Sequence, residues 1–159
     1  MGTPSPRTVI IIAVAILSIA AYSAIVISGT VTLGNVPSHF TVNSRTFAIT
    51  GIASDEHSRE VGLMHQDITN STAELFVFPS PGTYAFWMSG VNSSLDVIWL
   101  SMDGEVGHVV YIARNVPPCP SSPLCPDYSP PSPASWVLEV QGGFSSLNGI
   151  NVGSQFTFS

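Results

Sequence analysis

The feature that most constrains this chain is an uncharged run of 21 residues, Thr8 to Ser28, reading TVIIIAVAILSIAAYSAIVIS. At about 1.5 Å rise per residue, a helix of that length spans roughly 30 Å, the thickness of a hydrocarbon core. Its apolar surface goes all the way round, which a buried helix of so small a protein does not need. Arg7 precedes it, with Pro4 and Pro6 suited to a chain entering a helix. A cleavable signal peptide is the competing reading, because Ala21-Tyr22-Ser23 puts small residues where a signal peptidase reads. The apolar core of such a signal usually runs only about 7 to 15 residues. The expectation is therefore a retained single-pass anchor, with secretion after cleavage as the alternative. Arg7 and the amino terminus are the only positive groups near the first end, and no Lys or Arg follows until Arg45. The charge rule then keeps residues 1–7 in the cytoplasm, passes 8–28 through the cytoplasmic membrane, and leaves a linker (29–38) and a folded domain (39–159) outside.

Composition agrees with a membrane location and narrows the partners. Charged residues are 9% of the chain and hydrophobic ones 45%, with a mean hydropathy of +0.37. There is no Lys, and four Arg stand against ten carboxylates, a formal charge of −6. A phosphate backbone attracts the reverse balance, so nucleic acid is excluded as a partner. Asn70-Ser71-Thr72 and Asn92-Ser93-Ser94 match the glycosylation acceptor pattern of exported proteins. Cys119 and Cys125 are the only cysteines, and outside the cytosol such a pair is most simply a disulfide.

The exterior part reads as mostly β (α+β): a compact antiparallel sheet or partly closed barrel with one short helix, preceded by the transmembrane helix. Apolar positions alternate from His39 to Ala53, giving two strands joined near Asn43-Ser44-Arg45. Ser54-Asp55-Glu56 offers an N-cap with acids in the first turn of a helix running on through Val61, Leu63 and Met64. Short apolar or β-branched runs follow at Leu75–Phe78, Tyr84–Met88, Leu95–Met102, Val106–Ala113, Trp136–Val140 and Gln155–Phe158. Pro79-Ser80-Pro81-Gly82 reads as a turn and Asp103-Gly104 as a hairpin. Pro117 to Pro133 holds eight Pro in 17 residues together with both Cys, which suits a stiff, stapled external loop.

An ordered set of short motifs then becomes specific: Val61-Gly62-Leu63-Met64, Leu75-Phe76-Val77-Phe78-Pro79, Phe86-Trp87-Met88, Leu95-Asp96-Val97 and Asp103-Gly104. Beyond them come Asn115-Val116-Pro117-Pro118-Cys119, Cys125-Pro126, Val137-Leu138-Glu139-Val140 and Gly149-Ile150-Asn151-Val152-Gly153. In this order and spacing, over roughly Phe40 to Phe158, the chain resembles the family known as domain of unknown function 192. The resemblance implies a compact, mostly β domain with one short helix, commonly behind an export signal, and no established activity. The family tends to have a basic residue where this chain has His65, a Gly-Met-Leu where it reads Ala73-Glu74-Leu75, and a Lys-Asn segment where it reads Ser89-Gly90-Val91-Asn92. The missing cations argue against an anion-binding role at those positions.

Chemistry-bearing residues are sparse. Asp96, between Leu95 and Val97 at the start of an apolar strand, is expected to be partly buried; it either marks a site or accepts bonds from loop backbone and fixes the Trp87 loop. Phe86 and Trp87 are candidates to line a ligand cleft, though aromatic residues of a small domain are usually core. For metal, Met88, Met102 and His108, with Met64 and His65, are weak thioether and imidazole candidates that suit copper. His57 and Glu60 are spaced to meet on one helix face. There is no Gly-x-Ser-x-Gly elbow, no His-Glu-x-x-His, no phosphate-cradling loop and no carboxylate pair in a cleft pattern, so no catalytic residue and no cofactor is assigned. The reading is a membrane-anchored, non-catalytic binding or accessory module for an envelope partner. An exterior metal or small-ligand binder is the alternative, and a hydrolase comes third.

Overall fold

The computed structural model describes residues 36–119 and 124–159. The expected membrane span and the first part of the linker lie outside the described residues. Among those described, no helix is long and apolar enough to cross a membrane.

Strands β1 (His39–Val42) and β2 (Arg45–Ala48) form the first hairpin. Asn43 and Ser44 turn it at φ 49° and 61°, the paired left-handed geometry that matches the twist of two-residue hairpins. β3 (Gly51–Ala53), α1 (Glu56–Val61), β4 (Ala73–Gly82), β5 (Leu95–Asp103), β6 (Val106–Val116), β7 (Ala134–Gln141), α2 (Phe144–Leu147) and β8 (Gln155–Phe158) follow. The eight strands make one sheet in the order β2-β1-β8-β6-β5-β7-β4-β3. Every pairing is antiparallel except β3 with β4.

The two ends of that order are consecutive in sequence. β2 ends at Ala48 and β3 begins at Gly51, and three Cα steps of about 3.8 Å reach roughly 11 Å at most. The sheet must therefore curl until its edges nearly meet, an open half-barrel. Its interior is filled from all eight strands, with Phe40, Leu75, Ile98, Leu138 and Phe156 fully buried. Phe40 stacks on Phe47 and Phe156 at centroid distances of 5.3 and 5.5 Å, and Phe144 of α2 closes on Phe47 edge-to-face at 4.9 Å. A second cluster, including Phe76, Phe86, Met88, Trp99 and Val137, lies on the other face of β4, β5 and β7, beneath α1 and the long loops.

The half-barrel agrees with the partly closed barrel expected from sequence, and four details differ. A second helix, α2, is present; at four residues it is too short for any periodicity to reveal. α1 stops at Val61 because Gly62 adopts φ +45°. Tyr84–Met88 is a loop whose one β-bridge joins Phe86 to Tyr128. Pro79 and Pro81 do not end β4; lacking N–H groups, they interrupt its ladder with β7 between Val77 and Gly82. The Asp103-Gly104 hairpin is as expected, Gly104 at φ +59°. Cys119 and Cys125 form a disulfide with Cα atoms 5.7 Å apart, and Cys119 bridges to Ser89 and Val91.

Candidate functional site

α1 is only six residues long and is held by its ends. Asp55 accepts a bond from the Ser58 N–H at 3.0 Å, while the Ser58 hydroxyl oxygen accepts from the Asp55 N–H at 3.1 Å, a reciprocal capping box. The Ser58 N–H, and the Ser58 hydroxyl donating to Asp55 Oδ2 at 2.7 Å, hold the Asp55 carboxyl below its usual range. At the other end, a Cβ on Gly62 would stand 3.0 Å from Phe76 Cζ, so this turn presses directly on β4. The loop after β4 is fixed from beneath: Trp99 Nε1 donates to the Tyr84 carbonyl at 3.0 Å, and Phe86 and Tyr128 exchange backbone bonds of 2.9 and 2.8 Å. Phe86 is thereby turned inward and Trp87 outward, 42% exposed.

Between α1 and this loop lies a cavity of about 430 Å³. Phe76, Phe78, Tyr84 and Phe86 wall it, and Val61 and Trp87 stand exposed at its mouth. Glu56, Arg59 and Glu60 of α1 also line it. Arg59 is engaged: Nη1 donates to the carbonyls of Ser54 at 2.6 Å and Val77 at 3.0 Å, and the guanidinium lies 5.1 Å from the Phe78 ring centre. The remaining polar wall is Glu139, on β7, only 4% exposed.

Glu139 is the direct cross-strand partner of Glu74 on β4, so the two carboxyls share one face of the sheet. Glu74 is also buried, and its Oε2 has no hydrogen-bond partner. Glu139 makes no hydrogen bond or ion pair among the described residues. Burial, reinforced by the charge of Glu74, pushes the Glu139 carboxyl from its ordinary 4.5 up to about 8. Burial raises Glu74 as well. At neutral pH the cavity thus presents a protonated carboxyl, able to donate a hydrogen bond or, by releasing its proton, to face a cation.

Of the residues singled out from sequence, Phe86 and Trp87 line this cavity and Asp96 does not. Asp96 is fully buried and accepts N–H groups of Asn115 at 2.8 Å, Gly143 at 3.1 Å and Ser145 at 2.7 Å. It ties a bulge of β6 to the start of α2, rather than fixing the Trp87 loop. Of the five metal candidates, Met88, Met102 and His108 are not brought together, since Met88 packs in the outer cluster, Met102 against the barrel interior, and His108 pairs across from Ser101; Met64 lines the cavity, and His65 follows it at φ 60°. Among the described residues no group of three or more His, Cys, Asp or Glu is placed to hold a metal ion. Asn70 and Asn92 are exposed, as are His57 and Glu60, which form no ion pair. Sequence reasoning missed the glutamate pair and expected no such pair. The available signal was an acid inside each of two otherwise apolar strands, Ala73-Glu74-Leu75-Phe76 and Val137-Leu138-Glu139-Val140.

Two solved structures are similar in fold. A protein of unknown function from Novosphingobium aromaticivorans DSM 12444 is 24% identical, covers 76% of this chain and 82% of its own, and superposes with a TM-score of 0.63. A protein from Sinorhizobium meliloti 1021, provisionally described as a transcription regulator, is 26% identical over 76% of this chain and 90% of its own, with a TM-score of 0.61. No curated protein matches. Residues 39–158 match the family described as Uncharacterized ACR, and with that match over most of its length the chain belongs to the domain of unknown function 192 family.

Proposed function

We propose that this chain is a non-catalytic binding module, held at the outer face of the cytoplasmic membrane by residues 8–28, that takes a small molecule into the cavity beneath α1. The observation that carries the reading is the cavity itself: concave, aromatic-walled, and with one buried polar group to orient what enters. Exposed Trp87 and Val61 at the mouth add apolar surface that a ligand or a neighbouring envelope protein would cover. The Cys119–Cys125 disulfide and the exposed Asn70 and Asn92 acceptor sites suit an oxidising exterior compartment.

Two experiments test this. Ala85 is exposed and lines the cavity, so Ala85→Trp fills the mouth at little cost to the fold. Saturation-transfer NMR with small aromatic compounds is expected to find binders to the native chain that Ala85→Trp rejects; binding indifferent to that substitution would rule the cavity out. For topology, Ser101→Cys introduces an exposed thiol, which a membrane-impermeant maleimide should label in intact cells. Labelling only after lysis would overturn the exterior placement. A hydrolase is the second reading, favoured by one observation: a carboxyl held near 8 has the acidity of a general acid at neutral pH.

A further inference from the structure

We infer that the cavity beneath α1 is built for an organic monocation, an ammonium group on an apolar or aromatic body, with Glu139 as its counter-charge. The inference rests on the binding reading above and names the ligand class.

Three independent features of the cavity point to that class. First, its charges are one-sided. Glu56, Glu60 and Glu139 line it and Glu74 lies behind Glu139, against Arg59 alone. Arg59 directs Nη1 to two carbonyls and its guanidinium over a ring, and the chain has no Lys. An anionic ligand would meet one guanidinium against three carboxyls in the wall. Second, Glu139 is 96% buried by its 4% exposure, lines the cavity, and has no protein partner. A buried carboxyl without a partner is costly to the fold, and a cation within reach removes that cost. Third, the walls are ring faces and edges. Phe76 and Phe86 meet at 82° with centroids 4.9 Å apart, Phe78 and Tyr84 stack beside them, and Trp87 stands at the entrance. Arg59 already lies over one of these rings, at 5.1 Å, so the wall accepts a cation in the native fold.

The groups facing Glu139 define how binding depends on pH. Glu74 comes from β4, Glu56, Arg59 and Glu60 from α1, and Tyr84 from the following loop; its β5 neighbour, Val97, is apolar. A cation entering this set favours the ionised form of Glu139, so the proton held at neutral pH is released on binding.

The test uses the full-length chain in a non-ionic detergent and three probes of similar size, benzyltrimethylammonium, benzyl alcohol and benzoate, measured by calorimetry. The cation is expected to bind at least about tenfold more tightly than the neutral probe, and benzoate not at all. Its affinity should fall as pH is lowered from about 8, by as much as about tenfold per unit, with about one proton released at pH 7. Glu139→Gln should abolish the preference for the cation, so that benzyltrimethylammonium and benzyl alcohol bind with similar affinity, and Glu60→Gln, at the exposed mouth, should weaken the cation about two- to threefold. Equal binding of cation and alcohol would overturn the inference and leave the cavity reading standing. Cation binding indifferent to pH and to Glu139→Gln would place it elsewhere on the protein and overturn the inference alone. Failure of all three probes, on a chain shown to be folded, would overturn both.

Discussion

Glu139 and Asp96 are both buried acids, and their surroundings give them opposite physics. Asp96 receives three backbone N–H groups at 2.7 to 3.1 Å, which together replace the water it lost. Glu139 receives none, so its proton stays on up to about pH 8. The folded state therefore holds a proton that the unfolded chain gives up above about 4.5, and stability must fall as pH rises from there to about 8. Replacing Glu139 by Gln removes this dependence. By urea unfolding at pH 8.5, Glu139→Gln is expected to exceed the native chain by on the order of 4 to 5 kcal/mol, falling to below about 1 kcal/mol at pH 5. A gap that stays constant with pH would mean that Glu139 is not held protonated by the fold. Asp96→Asn should do the reverse. It turns one acceptor into a donor against an N–H and costs about 2 to 4 kcal/mol at any pH near neutral. A loss below about 0.5 kcal/mol would show that the three bonds matter little.

At the scale of elements, the cavity depends on one short helix and the turn that ends it. Gly62 is at φ +45°, and a methyl group there would meet Phe76 Cζ at 3.0 Å. Gly62→Ala is expected to lose about 1 to 3 kcal/mol in thermal or urea unfolding and to shift the NMR signals of Phe76 and Glu139. An unchanged midpoint would remove the turn from any role in shaping the cavity. Much at this scale was legible in the sequence. Alternation marked β1 and β2, Asp103-Gly104 marked the β5–β6 hairpin, and the Cys pair marked the stapled loop. Two kinds of feature were not. β3 and α2 are three and four residues long, too short for a period to declare itself. The cavity is non-local, since Glu139 reaches it only because β7 pairs with β4 and because α1 lies over that pair, neither of which is written in local spacing. Phe86 and Trp87 were visible as cleft candidates because a run of aromatics is conspicuous; Glu74 and Glu139 sat inside apolar strands and read as strand.

In the proposed whole, an exterior domain on a membrane anchor carries a pocket with a buried, unpartnered acid in its wall. Aromatic side chains from β1, β2, β8 and α2 pack in the half-barrel's interior, whereas the cavity beneath α1 lies on the opposite face of β4 and β7. This arrangement separates what holds the fold together from what meets a ligand. Substitutions at the mouth, such as Ala85→Trp, can then alter binding with little effect on stability. The state of the carboxyl at the cavity wall is read most directly from its side-chain ¹³C shift during a pH titration of the full-length chain, assigned by comparison with Glu139→Gln. The predicted midpoint is about 8. A midpoint near the ordinary 4.5 would mean that Glu139 is solvated or partnered, and would contradict the site described above.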